Sequence, residues 1–237
     1  MDELGDKHVN HTWLWALSAQ HGPTLSAGEY VDAVRVRLGA AGPEEVATCS
    51  QCGISLLDSG SAHALCCAKG ESTRGHYAVV KVLFDTVKQA DSGAETEAPG
   101  LIPSAPTLRP ADILTSATSQ GRAAALDVGI TSPEASAAGV DCTASMVARK
   151  TSNYAPYAHE LQRQNIDYKP VVWSAYGRPH GDATKFITQL CRKLARRRGF
   201  TSAAVLQRRL ECGIATEIWR RAARMVAACL PSIDEIA

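Results

Sequence analysis

Residues 109–133 read RPADILTSATSQGRAAALDVGITSP. Two strand-like runs stand in this stretch. Residues 111–115 are apolar apart from Asp112, and residues 123–131 carry Leu126, Val128 and Ile130 alternating around Asp127 and Gly129. Ser119-Gln120-Gly121 between them suits a hairpin turn. The runs are therefore expected as neighbouring antiparallel strands. An acid within an apolar strand is costly to bury unless it is paired or metal-bound. Two such acids on adjacent strands could meet and share a divalent cation, and magnesium prefers few carboxylates with water and phosphate oxygens. Such an ion supports phosphodiester cleavage. The plainer alternative makes Asp112 a strand-start residue and turns Asp127 to solvent.

Outward from this pair the chain reads as alternating elements. Upstream, Val79, Val80, Leu83, Phe84 and Val87 repeat at helical spacing over 76–90, and the Pro/Gly-containing residues 91–108 read as an irregular connection. Downstream come a helix over about 143–164, interrupted near Pro156, and a strand over 169–176 (KPVVWSAY). A loop over 177–181 and helices over about 182–198 and 202–229 follow. Residues 8–40 read as helical, with Ser26 and Glu29 in capping-box spacing. This order gives an α/β class, a mixed sheet flanked by helices.

Four of the eight cysteines crowd into residues 49–67. Cys49 and Cys52 form a C-x-x-C pair, and His63 and Cys67 follow in H-x-x-x-C spacing. Four such ligands suit a closed, structural zinc site. The segment is poor in apolar residues and would need the metal to hold its shape. Cys66 is an alternative to Cys67, and His76 is a lower-ranked further candidate. Cys191, Cys212 and Cys229 sit in apolar helical patterns and read as small core residues.

The net charge of +1 is an average of unlike parts. Residues 1–100 hold 13 acids and 7 Lys/Arg, whereas residues 181–237 hold 5 acids and 11. Arg192, Lys193, Arg196, Arg197 and Arg198 form a dense basic turn whose i,i+4 neighbours repel unless an anion neutralises them. DNA phosphate is the expected partner, the alternative being a solvated face on amphipathic helices whose core stripe is Leu190, Leu194, Leu206 and Leu210. No apolar run reaches the roughly 18–20 residues a membrane helix needs, and Met1 to Lys7, with three acids, lacks the basic start of a signal peptide. An intracellular protein is expected, with no membrane partner and no evident small-molecule cofactor.

Together these motifs resemble a family. The C-x-x-C and H-x-x-x-C run, Arg74-Gly75-His76-Tyr77, Arg109-Pro110-Ala111-Asp112 and Asp127 look like the C-terminal endonuclease of site-specific non-LTR retrotransposon polyproteins. The stretch from Trp13 to Gly39 resembles the segment that precedes the cysteines there. Gly75-His76-Tyr77 departs from the Arg-His-Asn typical of that place.

The resemblance implies a zinc knuckle (Cys49, Cys52, His63, Cys67) packed on a restriction-endonuclease-like domain. That domain would nick target DNA for target-primed reverse transcription in the nucleus. It implies magnesium on Asp112 and Asp127, with a lysine nearby. Residue 129, where an acid-x-lysine pattern places that lysine, is Gly129, so Lys150 is the nearest candidate, with Arg149 or Asn153 as alternatives for that place. Arg109 would meet a phosphate. DNA is the expected partner and the element's RNA a second one. The expected organisation is an N-terminal helical segment (1–45), the knuckle (46–75), the nuclease domain (76–200) and a basic C-terminal helix (201–237). Nothing offers the paired aspartates of a polymerase palm, so a fragment, remnant or domesticated piece is expected. The rival expectation is a zinc-stabilised nucleic-acid-binding module without nuclease activity; a third is a structural remnant with no partner.

Overall fold

A computed structural model describes residues 3–16, 22–117, 121–199 and 202–231. The predicted turn residues Ser119 and Gln120 lie outside the described residues. The two strands they were expected to join are present. β4 (Ile113–Thr115) pairs antiparallel with β5 (Ala123–Thr131), and the bounds of β5 are those its alternation predicts.

In chain order the other elements are α1 (Ala27–Arg37), β1 (Ala47–Thr48), β2 (Leu56–Leu57), α2 (Ala64–Cys67), α3 (Lys69–Ala90) and β3 (Glu95–Thr96). After β5 come α4 (Cys142–Tyr154), α5 (Ala158–Arg163), β6 (Ile166–Ser174), α6 (Gly181–Arg198) and α7 (Ala203–Cys229). The main sheet has the order β3-β4-β5-β6. Its first three strands are antiparallel, and β6 runs parallel to β5 after the α4–α5 crossover. The architecture is α/β, a mixed four-stranded sheet flanked by helices.

The two faces of β5 pack differently. Ala124, Leu126 and Val128 join Leu83 and Val87 of α3, Ile187 and Leu190 of α6, and Ile214 and Ile218 of α7 in the main core. Ala125 on the opposite face meets Leu161 of α5 with Leu101 and Ile102. A strand covered on both sides carries near-continuous small and apolar residues, and only Asp127 breaks that run. β6 is an edge strand, which is why Pro170 is tolerated inside it.

Several expectations need correction. Residues 8–40 are not one helix. A 3₁₀ turn (Thr12–Trp15) and α1 are separated by a segment containing Gly22-Pro23, and a residue before proline is pushed out of helical geometry. The capping box of Ser26 and Glu29 is present at the start of α1. α3 begins at Lys69 rather than near 76, because its first two turns are polar and carry no apolar stripe to read. Residues 91–108 are not wholly irregular but hold β3, and the strand expected over 169–176 runs Ile166–Ser174 as β6. Residues 47–73 hold a two-stranded ladder and a short helix. The break predicted near Pro156 falls in a 3₁₀ turn between α4 and α5.

α7, 27 residues long, joins the parts. Its apolar face serves the main core through Ile214 and Ile218, and a second core through Trp219, Ala222 and Val226. In that second core Trp13 stacks on Trp219 at 4.8 Å. Arg220 and Arg224 of α7 grip Glu29 of α1. Arg178, buried after β6, binds Glu3 and Asp141 and so ties the N-terminus to the start of α4.

Candidate functional site

Two sites emerge from the elements. The first is the knuckle. Cys49, Cys52, His63 and Cys67 bring one ligand atom each to within 4.8 Å of one another. The turn is built by backbone bonds. The Gly53 amide donates to the Cys49 carbonyl at 2.8 Å, and the Ser55 amide reaches the Cys52 sulfur at 3.4 Å. Gly53 sits at φ +65°, a left-handed conformation that suits glycine.

Two sulfurs each about 2.3 Å from a tetrahedral zinc stand about 3.8 Å apart. Cys49 and Cys67 are 3.8 Å apart, and Cys52 lies 3.5 Å from His63 Nε2. The donor set fits a metal ion such as zinc. Without one the thiols are unequal. Amide bonds from Ser55 and Ile54 bring Cys52 down to about 6, whereas burial and the neighbouring sulfurs Cys49 and Cys52 push Cys67 up to about 11. A bound cation removes that conflict by neutralising the crowded thiolates. Cys66 is exposed and stands outside the cluster, as does His76. The cluster docks on the end of α7, where the Ser50 amide and hydroxyl bond the Cys229 and Ala228 carbonyls.

The second site is the acid pair. Ile113 faces Leu126 in the β4–β5 ladder, and the Asp112 amide donates to the Leu126 carbonyl at 2.9 Å. Asp112 stands just before β4, where the ladder ends, and its carboxylate reaches the β5 backbone next to Asp127. The Asp112 carboxylate accepts the Val128 amide at 2.7 Å and meets His76 Nε2 at 3.2 Å. Asp127 is half-buried rather than turned to solvent. One of its oxygens accepts from Lys150 Nζ of α4 and the other from the Tyr168 hydroxyl of β6. Burial, with the Asp127 and Asp112 charges behind it, raises the hydroxyl pKa of both Tyr154 and Tyr168. Both carboxylates therefore act on one small region.

Gly129 explains how a lysine on a helix reaches this strand. A Cβ at position 129 would lie 2.7 Å from the Met146 sulfur and 2.9 Å from Lys150 Cε. The Lys150 stem fills the space above residue 129, so α4 supplies the ammonium that a side chain at 129 would otherwise carry. Lys150 pairs with Asp127, whereas among the described residues Arg149 and Asn153 make no hydrogen bond or ion pair with either acid.

His76, Tyr168 and Arg221 enter the region without having been read as part of it. His76 lies inside α3, not at its start. Together with Ser72, Thr73, Gly129, Lys150 and Arg221 it borders a cleft of about 280 Å³. Tyr77 stands exposed between this cleft and a second one beside Asp112.

The basic residues are placed elsewhere. Arg192, Lys193, Arg196, Arg197 and Arg198 are exposed near the end of α6. Lys193 donates to the Ser116 carbonyl and Arg197 to the Ala90 carbonyl, so both also serve as structural ties. Ala90 and His76 lie 14 residues apart on α3, roughly 21 Å along the helix. The basic turn and the cleft therefore occupy opposite ends of the sheet. Arg109 is exposed and donates to the Glu97 carbonyl, holding the β3 loop. Arg220 and Arg224, further basic residues on α7, are committed to Glu29.

No protein-family model, curated protein or solved structure matches this chain. Among the described residues no helix is long and apolar enough to cross a membrane.

Proposed function

We propose that the chain is a DNA-nicking endonuclease domain of the retrotransposon type, with a restriction-endonuclease-like core and a structural zinc in the Cys49, Cys52, His63 and Cys67 cluster. One observation carries the reading: the Asp112 carboxylate lies on the β5 backbone at Val128, next to Asp127, and Lys150 reaches Asp127 through the gap at Gly129. The order helix, three antiparallel strands, crossover helix, parallel strand supports it, as does the likeness of residues 109–133 to those endonucleases.

Asp112 and Asp127 would hold magnesium, which supplies a Lewis acid and an activated water when bound. Lys150 places a positive charge beside the acids, where a cleaved phosphodiester gathers negative charge. Tyr168 fixes the second oxygen of Asp127 and so its orientation. His76 does the same for Asp112 from α3. The basic turn of α6 would grip the backbone about 20 Å away, with salt-sensitive affinity.

Supercoiled plasmid with magnesium tests the reading. The wild-type domain is expected to yield open circles, and Asp112→Asn and Lys150→Met to lose roughly a hundred-fold or more in rate. Equal cutting by Asp112→Asn retires the site. A second reading, DNA binding without cleavage, is favoured by one detail: both Asp127 oxygens already have partners, so a metal must displace Lys150 or Tyr168. Salt-dependent binding with no nicking under magnesium or manganese would select it.

A further inference from the structure

Arg221 is the least explained charged group in the described structure. The residue is 4% exposed, and its guanidinium has one hydrogen bond, from Nη2 to the Ser72 hydroxyl at 2.8 Å. Nε and Nη1 are buried without a partner. Among the described residues no carboxylate pairs with it. An isolated charge in such a place costs several kcal/mol unless something compensates it. Here the fold goes out of its way to admit the side chain. A Cβ at Gly75 would lie 2.5 Å from Arg221 Cβ and Cγ, so the stem crosses α3 where that helix has no side chain. Glycine inside a helix costs roughly 1 kcal/mol relative to alanine. The chain carries both a helix-weakening residue and a buried cation at one contact.

Arg221 lines the same cleft as Ser72, Thr73, His76 and Lys150, and its Nη2 is bonded to Ser72 there. Of the three side chains there that can be cationic, Lys150 faces Asp127 and His76 faces Asp112. Arg221 has only a neutral hydroxyl. An anion entering the cleft beside Ser72 would meet the guanidinium from its Nη2 side and offset a charge that no carboxylate offsets, and a planar guanidinium suits the oxygens of a phosphoryl group.

We propose that this cleft binds a phosphoryl group, with Arg221 as its principal ligand and the Ser72 hydroxyl beside it. The proposal deepens the nuclease reading, on which the ligand's source rests. It makes the occupant a backbone phosphate of the DNA strand next to the one cleaved. Arg221 belongs to the helix that also carries the metal knuckle, so it seats the strand without taking part in bond breaking. No covalent step is involved.

The test uses the whole metal-loaded chain and inorganic phosphate against chloride at constant ionic strength, read by thermal shift and calorimetry. Wild type is expected to gain stability with phosphate. Arg221→Met keeps the stem but removes the charge. It is expected to melt higher than wild type without phosphate, because an uncompensated buried charge is gone, and to bind phosphate roughly ten- to hundred-fold more weakly. A merely structural arginine would give the opposite first result. Ser72→Ala, which removes one hydroxyl at the edge of the cleft, should weaken phosphate several-fold and covers the case in which Arg221→Met does not fold.

Competition by a short duplex assigns the site to the DNA backbone, and competition by a mononucleotide alone assigns it to a nucleotide phosphate; either upholds the phosphoryl site. No phosphate response in wild type, or an equal response in Arg221→Met, overturns it. Phosphate binding through Arg221 in a chain that never nicks DNA would retire the nuclease reading and leave this site standing.

Discussion

The knuckle and the cleft are built in opposite ways. The knuckle draws its four ligands from residues 49–67, and its turn is closed by bonds between near neighbours. The cleft draws on Ser72 and His76 of α3, Gly129 of β5, Lys150 of α4 and Arg221 of α7, with Tyr168 of β6 behind Asp127. Spacing suffices to nominate ligands that a short loop brings together. It cannot nominate groups whose meeting depends on how five elements pack. α7 links the two regions, carrying Arg221 at the cleft and receiving Ser50 and Gln51 at its end.

The most drastic way to break the comparison is to remove the metal. If the knuckle depends on its ion, chelation should unfold residues 47–67, since structural zinc contributes on the order of 10 kcal/mol in small metal domains. Metal analysis and circular dichroism check this. Substoichiometric zinc in purified protein would sink the assignment. The cleft is expected to survive in part, because its strands have their own core, but phosphate binding should weaken as the end of α7 loses its seat.

Trp13→Ala comes next. It removes a fully buried ring stacked on Trp219 and should cost roughly 3–5 kcal/mol in urea denaturation. The loss should fall on the second core and spare the β4–β5 region in hydrogen exchange. Equal loss of protection in β5 would show that the two regions do not unfold separately.

Gly129→Ala sharpens the cleft side. The added methyl meets Met146 and Lys150 at under 3 Å, so overpacking of about 1–3 kcal/mol is expected, together with a displaced Lys150. A neutral result in both denaturation and nicking would show that the lysine does not need this gap.

The smallest effect is electrostatic and concerns Glu29. Burial works against its ionised form, yet bonds from the Ser26 amide, Arg224 and Arg220 win and hold it at about 2, below its ordinary 4.5. A lowered carboxyl pKa adds stability that is fully present above about pH 4.5 and is lost as pH falls through about 2. Glu29→Gln should therefore lose less stability than wild type between pH 6 and pH 3. Parallel urea curves at the two pH values decide it, and an unchanged difference would mean that the α1–α7 contact does not depend on this charge.

Much of the fold was legible in local pattern. The alternation of residues 123–131 and the capping box at Ser26 were read correctly because each signal sits within a few residues of its cause. The start of α3 was missed because its first turns bury no apolar stripe, and β3 because an edge strand of two residues has no period. Cys229 was read as plain core. It is buried, but it also lies against the cysteine cluster, where burial and the sulfurs of Cys49 and Cys67 push its thiol well up.

The sequence by itself determined the four metal-ligand candidates, the antiparallel pair of strands and the two acids, one just before β4 and one within β5, since ligand spacing and a period of two are properties of the chain alone. Only the tertiary structure decided that Lys150 passes over Gly129, that His76 and Tyr168 hold the acids, and that Arg221 crosses α3 at Gly75. Those contacts join residues 21 to 146 positions apart, and a missing Cβ announces a neighbour only after packing has chosen which side chain fills the space.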